Sequence, residues 1–192
     1  GKIDIQGTDA SEFLNRVYTN AWSKLEIGKC RYGLMLNEDG MVYDDGVTTR
    51  LDENHYIMTT TTGGAATVLG KLEDYLQTEW PELDVYLTSV TDHYATISVC
   101  GPNSKKIIQK VIPEIDLSDK DFPHMSFKNS KIGKVKCRVM RISFTGEQSY
   151  EINIQANYAK SVWENCMEAG KEFNITPYGC LLYTSPSPRD LK

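Results

Sequence analysis

Two stretches almost a hundred residues apart repeat one local pattern. Ile3-Asp4-Ile5-Gln6 alternates, reaches Gly7 and runs into a helical spacing; Ile97-Ser98-Val99-Cys100 reaches Gly101 and does the same. Alternation with period two marks a strand with one buried face, and apolar residues at i, i+3 and i+4 mark a helix. The glycine between them allows a reversal that residues with a Cβ resist. A separation this long lies far outside the roughly 20–50 residues of stacked repeats, so the chain is not a solenoid. The echo implies two related halves, each mixing strand and helix.

The segments between fit that division. In the first half, Asp9-x-x-Glu12 has capping-box spacing ahead of Phe13, Leu14 and Val17. Residues 32–37, 41–50 and 55–61 read as strands, the first two joined by the turn Asn37-Glu38-Asp39-Gly40. Together they predict an antiparallel meander. Gly63-Gly64 opens a helix carrying Ala65, Val68, Leu69, Leu72, Tyr75 and Leu76 on one face, and Pro81 stops it. Residues 85–87 and 94–100 read as strands, and 103–111 as a helix. After a Pro- and Asp-containing connection over 113–124, residues 134–144 and 150–154 read as a hairpin around Thr145-Gly146-Glu147. A helix follows over 156–171. Antiparallel pairing of this kind predicts an α+β fold, not a doubly wound parallel sheet.

Composition narrows the function. The 192 residues carry 21 Lys and Arg against 26 Asp and Glu, a net charge of −5. An acidic balance argues against nucleic acid as the main partner, because a phosphate footprint needs a basic stripe. No apolar run approaches the roughly 18 residues of a membrane span, so no membrane association is expected. Cys30, Cys100, Cys137, Cys166 and Cys180 are scattered and odd in number, as are His55, His93 and His124. That spacing predicts reduced thiols, a cytoplasmic location and no metal site. There is neither a G-x-G-x-x-G nor a Walker A pattern, so the segment itself is not expected to bind a dinucleotide or nucleoside triphosphate by those devices.

Two acidic positions stand out. Asp44-Asp45 lies inside a strand, where Asp is disfavoured, and alternation sends the two carboxylates to opposite faces. One must point inward and needs a partner or a purpose there; otherwise the pair is solvated at a sheet edge near the turn. Glu151, between Tyr150 and Ile152, faces away from both. It is either an outward surface residue or a recognition carboxylate for a ligand with two parallel N–H donors, such as the edge of a pterin ring. Tyr32 and Phe144 could offer faces to a flat ring. Residues 180–190 have neither period and two nearby prolines. They resemble, over eleven residues, the in-frame translation of a transposon-type sequencing-library adapter, so residues 180–192 are expected to be non-native and the domain is read over 1–179.

Four stretches carry a resemblance to a family: Ile3-Asp-Ile-Gln-Gly7; Cys30-Arg-Tyr-Gly-Leu-Met-Leu-Asn-Glu-Asp-Gly-Met-Val-Tyr-Asp-Asp-Gly46; residues 59–65; and Phe144-Thr-Gly-Glu-Gln-Ser-Tyr-Glu151. In this order and spacing the chain resembles the aminomethyltransferase (glycine-cleavage T-protein) family, on its side that contains the alpha subunits of heterotetrameric sarcosine oxidase. The resemblance implies the aminomethyltransferase folate-binding fold, truncated before its C-terminal barrel. It implies a tetrahydrofolate site that accepts a methylene group from the iminium formed when sarcosine is oxidatively demethylated, giving 5,10-methylenetetrahydrofolate and glycine. It also implies partners in the other sarcosine oxidase subunits, with FAD, FMN and NAD outside this segment. Free-standing aminomethyltransferases and non-catalytic folate-binding modules of the same fold are the alternatives. The family's essential carboxylate falls on Asp45, and its pterin-clamping Glu on Glu151. Its aromatic folate neighbours fall on Tyr32 and Phe144, the latter without the usual hydroxyl, and an Asn contact falls on Thr61. Ser149 stands where the family often has Gly, which places a side chain in an expected tight turn beside Glu151.

Overall fold

A computed structural model describes residues 1–179. The tail read as adapter, residues 180–192, lies outside the described residues. The first half contains β1 (Lys2–Gln6), α1 (Ala10–Val17), β2 (Cys30–Leu36), β3 (Val42–Asp52), β4 (His55–Thr59), α2 (Ala65–Asp74) and β5 (Tyr86–Ser89). The second contains β6 (Tyr94–Cys100), α3 (Ser104–Val111), β7 (Ser126–Ile132), β8 (Val135–Arg141), β9 (Ser149–Gln155) and α4 (Ala159–Gly170). The sheets run β2-β3-β4-β1-β5 and β6-β9-β8-β7, antiparallel throughout. Apart from the added β5, one order is the other: β1-β4-β3-β2 matches β6-β9-β8-β7.

The repeat extends to single residues. Gly7 (φ 138°) and Gly101 (φ 105°) both occupy the positive-φ region, and each carbonyl accepts the N–H three residues on, from Ala10 at 3.1 Å and Ser104 at 3.0 Å. The last cross-strand pair before each glycine is Gln6–His55 in one half and Cys100–Ser149 in the other. Counting along the ladders from these pairs equates Tyr56 with Tyr150, both fully buried, and Ile57 with Glu151.

Each sheet has a helix-covered face. Ile3, Ile5, Tyr56 and Met58 pack with Phe13, Leu14, Val68 and Leu72 from α1 and α2. Ile97, Val99, Tyr150, Ile152 and Ile154 pack with Ile107, Ile108, Val162 and Cys166 from α3 and α4. Between the sheets lies a thinner apolar layer of Cys30, Ile57, Met140 and Ile142, with Val47 and Phe127 beside it. Main-chain hydrogen bonds at the β2 and β7 edges join the two sheets, Cys30 N–H to the Met125 carbonyl at 2.8 Å and Phe127 N–H to the Gly28 carbonyl at 3.1 Å. This second covering of each sheet decides which side chains are inside.

Several local expectations change. The Asp9–Glu12 capping box does not form: Asp9 Oδ2 instead accepts the Asp84 N–H at 2.9 Å. The α2 helix ends at Asp74 and widens into a π-helical turn over Tyr75–Glu79 before Pro81. Strand β7 was not expected, and Phe144 lies beyond the end of β8. Ser149 begins β9 as a buried strand residue, its Oγ 3.4 Å from Ser98 Oγ, so it does not crowd a tight turn.

Candidate functional site

Strand β3 lies inside its sheet between β2 and β4, so Asp44-Asp45 is not a solvated edge pair. Asp44 is buried, 5 % exposed, and its Oδ1 accepts the Thr61 N–H at 3.1 Å. Asp45 points to the other face, where its Oδ2 accepts the Tyr32 hydroxyl at 2.5 Å. That hydrogen bond raises the phenol pKa above its ordinary value, because the carboxylate stabilises the protonated phenol. The ladder explains the meeting: Leu34 is opposite Asp45 and Tyr32 opposite Val47, so Tyr32 and Asp45 sit diagonally on one face.

Gly46 lets the next strand close over β3. A Cβ there would lie 1.9 Å from the Thr59 carbonyl oxygen. The Thr59 side chain completes the pairing where the main-chain ladder stops. Its Oγ1 accepts the Val47 N–H at 2.9 Å and donates to the Val47 carbonyl at 3.2 Å. The chain then turns away through Thr60, Thr61 and Thr62, with Asp44 holding the Thr61 N–H.

The opposite wall comes from the second half. Tyr150 and Ile152 enter the core under α3 and α4, so Glu151 projects to the face between the sheets. Its surroundings are not those of a surface glutamate. Burial pushes its carboxyl pKa up, while the nearby Lys2 ammonium pulls in the other direction. Burial likewise lowers the Lys2 pKa, opposed by Glu151 and Asp92. Lys2 Nζ also donates to the Tyr94 carbonyl at 3.1 Å.

Between these walls lies a cleft of about 580 Å³. All five residues singled out from the sequence line it: Tyr32, Asp45 and Thr61 from the first half, Phe144 and Glu151 from the second. Tyr32 is half-exposed and Phe144 stands at the rim, 88 % exposed. Thr61 presents an exposed side chain. Lys2 lines the same cleft and was missed by the sequence reading. Only the β1–β4 alternation hints at it, by putting Lys2 on the face of Asp4. The cleft thus has one aromatic-hydroxyl wall with a carboxylate, and a second, half-buried carboxylate facing it near the Lys2 ammonium. This arrangement can accept paired N–H donors at one end and stabilise positive charge at the other.

The GCVT N-terminal domain family matches residues 1–185. The chain belongs to this family. As a GCVT domain it is 54 % identical over 180 residues to sarcosine oxidase subunit alpha from Corynebacterium sp. (strain P-1), covering 93 % of this chain and 19 % of that protein. It is 31 % identical over 180 residues to an aminomethyltransferase from Thermoanaerobacter sp. (strain X514), covering 93 % of this chain and 47 % of that protein. The GCVT domain therefore spans about a fifth of the sarcosine oxidase relative and about half of the aminomethyltransferase. Its fold matches the crystal structure of glycine cleavage system aminomethyltransferase T from Bartonella henselae with a TM-score of 0.72 at 21 % identity, over 86 % of this chain and 42 % of that one. The α+β reading with two antiparallel sheets and the aminomethyltransferase fold both hold. Among the described residues no helix is long and apolar enough to cross a membrane.

Proposed function

We propose that this GCVT domain binds tetrahydrofolate in the cleft and serves as the methylene-accepting part of a sarcosine oxidase alpha subunit. The observation that carries the reading is the gathering of Asp45, Tyr32, Thr61, Phe144 and Glu151, from both halves, around one cleft. The residues fit the group: a half-buried carboxylate for a pterin N–H pair, aromatic rings for its faces, and room for the ring system. Tetrahydrofolate, when bound, supplies the N5 and N10 amines that take up a one-carbon unit as 5,10-methylenetetrahydrofolate.

The chain's own residues divide the work. Glu151 accepts the paired N–H donors and fixes the ring's orientation, in its ionised form. Lys2 favours that ionised form against the burial that opposes it. Tyr32 and Phe144 flank the ring, and Thr61 offers a hydroxyl at the rim. Asp45 holds a negative charge where cationic species of the reaction develop, and Tyr32 fixes its direction through the 2.5 Å hydrogen bond. Asp45 Oδ1 remains to accept a proton from the reacting amines. The flavin and dinucleotide chemistry, the sarcosine site and the other subunits belong to the rest of such an enzyme. The 54 % identity to a sarcosine oxidase subunit, against 31 % to an aminomethyltransferase, favours sarcosine over a glycine-cleavage donor.

The test is Asp45→Ala in the full-length protein. Methylene transfer, followed as 5,10-methylenetetrahydrofolate formed per sarcosine oxidised, should fall by about 10²–10³-fold, the scale of losing a preorganised charge-stabilising group. Sarcosine oxidation itself should persist, with the one-carbon unit released as formaldehyde. Unchanged coupling in that variant would leave a domain of this fold without the proposed chemistry.

A further inference from the structure

The repeat that builds the candidate folate cleft builds a second cleft at the matching place in the other half. Extending the register from the Ile57–Glu151 match equates Thr59 with Asn153, Val47 with Arg138, Asp45 with Lys136 and Tyr32 with Asn129. Thr59, Val47, Asp45 and Tyr32 line the first cleft; Asn153, Arg138, Lys136 and Asn129 line the second, whose volume is about 880 Å³. The backbone is duplicated and the charge is inverted, with Lys136 standing in the place of Asp45.

We propose that this second cleft is a binding site for a small oxyanion, a carboxylate or phosphate group on a small molecule, held by Arg138 and Lys136. Arg138 carries the inference. Its guanidinium lies over the Phe127 ring, 5.7 Å from the centroid. Its Nε and Nη1 are buried and have no hydrogen-bond partner among the described residues. A guanidinium stays charged in a protein and presents a fork of donors that fits two oxygens of one oxyanion. The carboxylate that influences it from the other sheet, Asp4, acts through space only: its Oδ1 accepts Gln6 Nε2 and its Oδ2 meets His55 Nε2, both at 2.6 Å, and neither oxygen takes a hydrogen bond from Arg138.

The remaining charges leave the positive sign intact. Lys131 pairs with Glu114 at 3.7 Å, and Lys128 donates to the Asp116 backbone carbonyl at 3.1 Å, beside a carboxyl whose pKa is lowered first by hydrogen bonds from Ser118 and last by Lys128. In net charge the cleft's two carboxylates, Glu114 and Asp116, balance these two lysines. Lys136 has no such partner among the described residues and is exposed on the wall with Arg138. Asn153 spends its amide on Thr96 Oγ1 and Met140 Sδ, while Asn129 is exposed and adds a further donor. One half-buried and one exposed cation therefore line the same space, and neither is hydrogen-bonded to a carboxylate among the described residues.

The experiment is calorimetric titration of the full-length protein at low ionic strength, with inorganic phosphate in one arm and succinate in the other. At least one should bind saturably, phosphate alone pointing to a phosphorylated ligand and succinate alone to a carboxylate. Lys136→Gln should weaken that binding about tenfold, the scale of one charge-assisted hydrogen bond, and Arg138→Gln should weaken it at least as much. If Arg138→Gln fails to fold, the exposed Lys136 still decides the outcome. No saturable binding of either anion, or an affinity unchanged in Lys136→Gln, overturns the proposal and leaves water as the partner of Arg138. Folate coupling should be the same in Lys136→Gln and the parent, so the proposal stands or falls apart from the folate reading.

Discussion

Ile57 and Glu151 occupy one position in two copies of the same substructure, and they meet opposite surroundings. Ile57 lies at 3 % exposure in the apolar layer between the sheets, packed with Cys30, Met140 and Ile142. Glu151 reaches the same inter-sheet level one half later and lines a cleft. Strand order, flanking glycine and neighbouring buried tyrosine are shared, so the backbone does not decide which side chain is tolerated. The decisive differences are the sign of the neighbouring charge and open space: Glu151 has the Lys2 ammonium and the cleft, whereas Ile57 lies directly across the ladder from the Asp4 carboxylate. The comparison breaks most visibly on exchange. Ile57→Glu should lower stability by about 3–5 kcal/mol, because a carboxylate would be buried directly across from the Asp4 carboxylate. Urea unfolding of the full-length protein measures this, and a midpoint unchanged from the parent would mean the two positions are interchangeable.

The next pair separates strand pairing from side-chain packing. Gly46 and Cys137 match by register, yet Cys137 carries a buried thiol opposite Ile154, whereas Gly46 lies under the Thr59 carbonyl. The second half continues its ladder where the first lets the chain turn away. Gly46→Ala should therefore cost about 2–3 kcal/mol and loosen the Thr60–Thr62 turn, since a Cβ 1.9 Å from a carbonyl oxygen forces β3 and β4 apart. Cys137→Ala removes one sulfur from a packed core and should cost about 1 kcal/mol. Thermal unfolding of the two variants checks the order. Equal losses would show that the closure over Gly46 does no more than ordinary packing.

This contrast also marks what the sequence could reveal. Strand β6 was legible residue for residue, because Ile97 and Val99 alternate cleanly and Gly101 ends the run. Strand β7 was not: Lys128, Asn129, Ser130 and Lys131 sit in succession on a sheet edge, and an edge strand has too little buried face to impose a period. The capping box at Asp9 was legible and absent, because Asp84 offers its N–H from seventy-five residues away. At the candidate site, alternation correctly sends Asp44 and Asp45 to opposite faces but cannot tell which face is which, since both faces of the sheet are covered. Glu151 shows the same limit. A face that is outward in a single sheet becomes an inner wall once a second sheet packs on it. Long-range packing of two sheets leaves no local trace, and Lys2 was missed for that reason.

The smallest effect is a pH dependence that isolates Glu151. Burial raises its carboxyl pKa in the folded protein above that of the unfolded chain. Between the two values the folded state keeps a proton that the unfolded state has lost. Stability therefore falls as pH rises through that interval, and the cost is fully present above the raised value. Glu151→Gln removes the titration. Relative to this variant, the parent should gain stability on acidification from neutral pH toward the ordinary glutamate range, and the difference should be flat at higher pH. Folate affinity should run the other way. The paired N–H donors need the ionised form, so parent affinity should decline as pH drops through the raised value, while the variant's weaker affinity stays level. Ile57, the matched residue, supplies the control, because Ile57→Val should shift stability without any pH term. If parent and Glu151→Gln follow parallel stability curves across the carboxylate range, Glu151 is solvated like a surface residue and the contrast with Ile57 reduces to polarity alone.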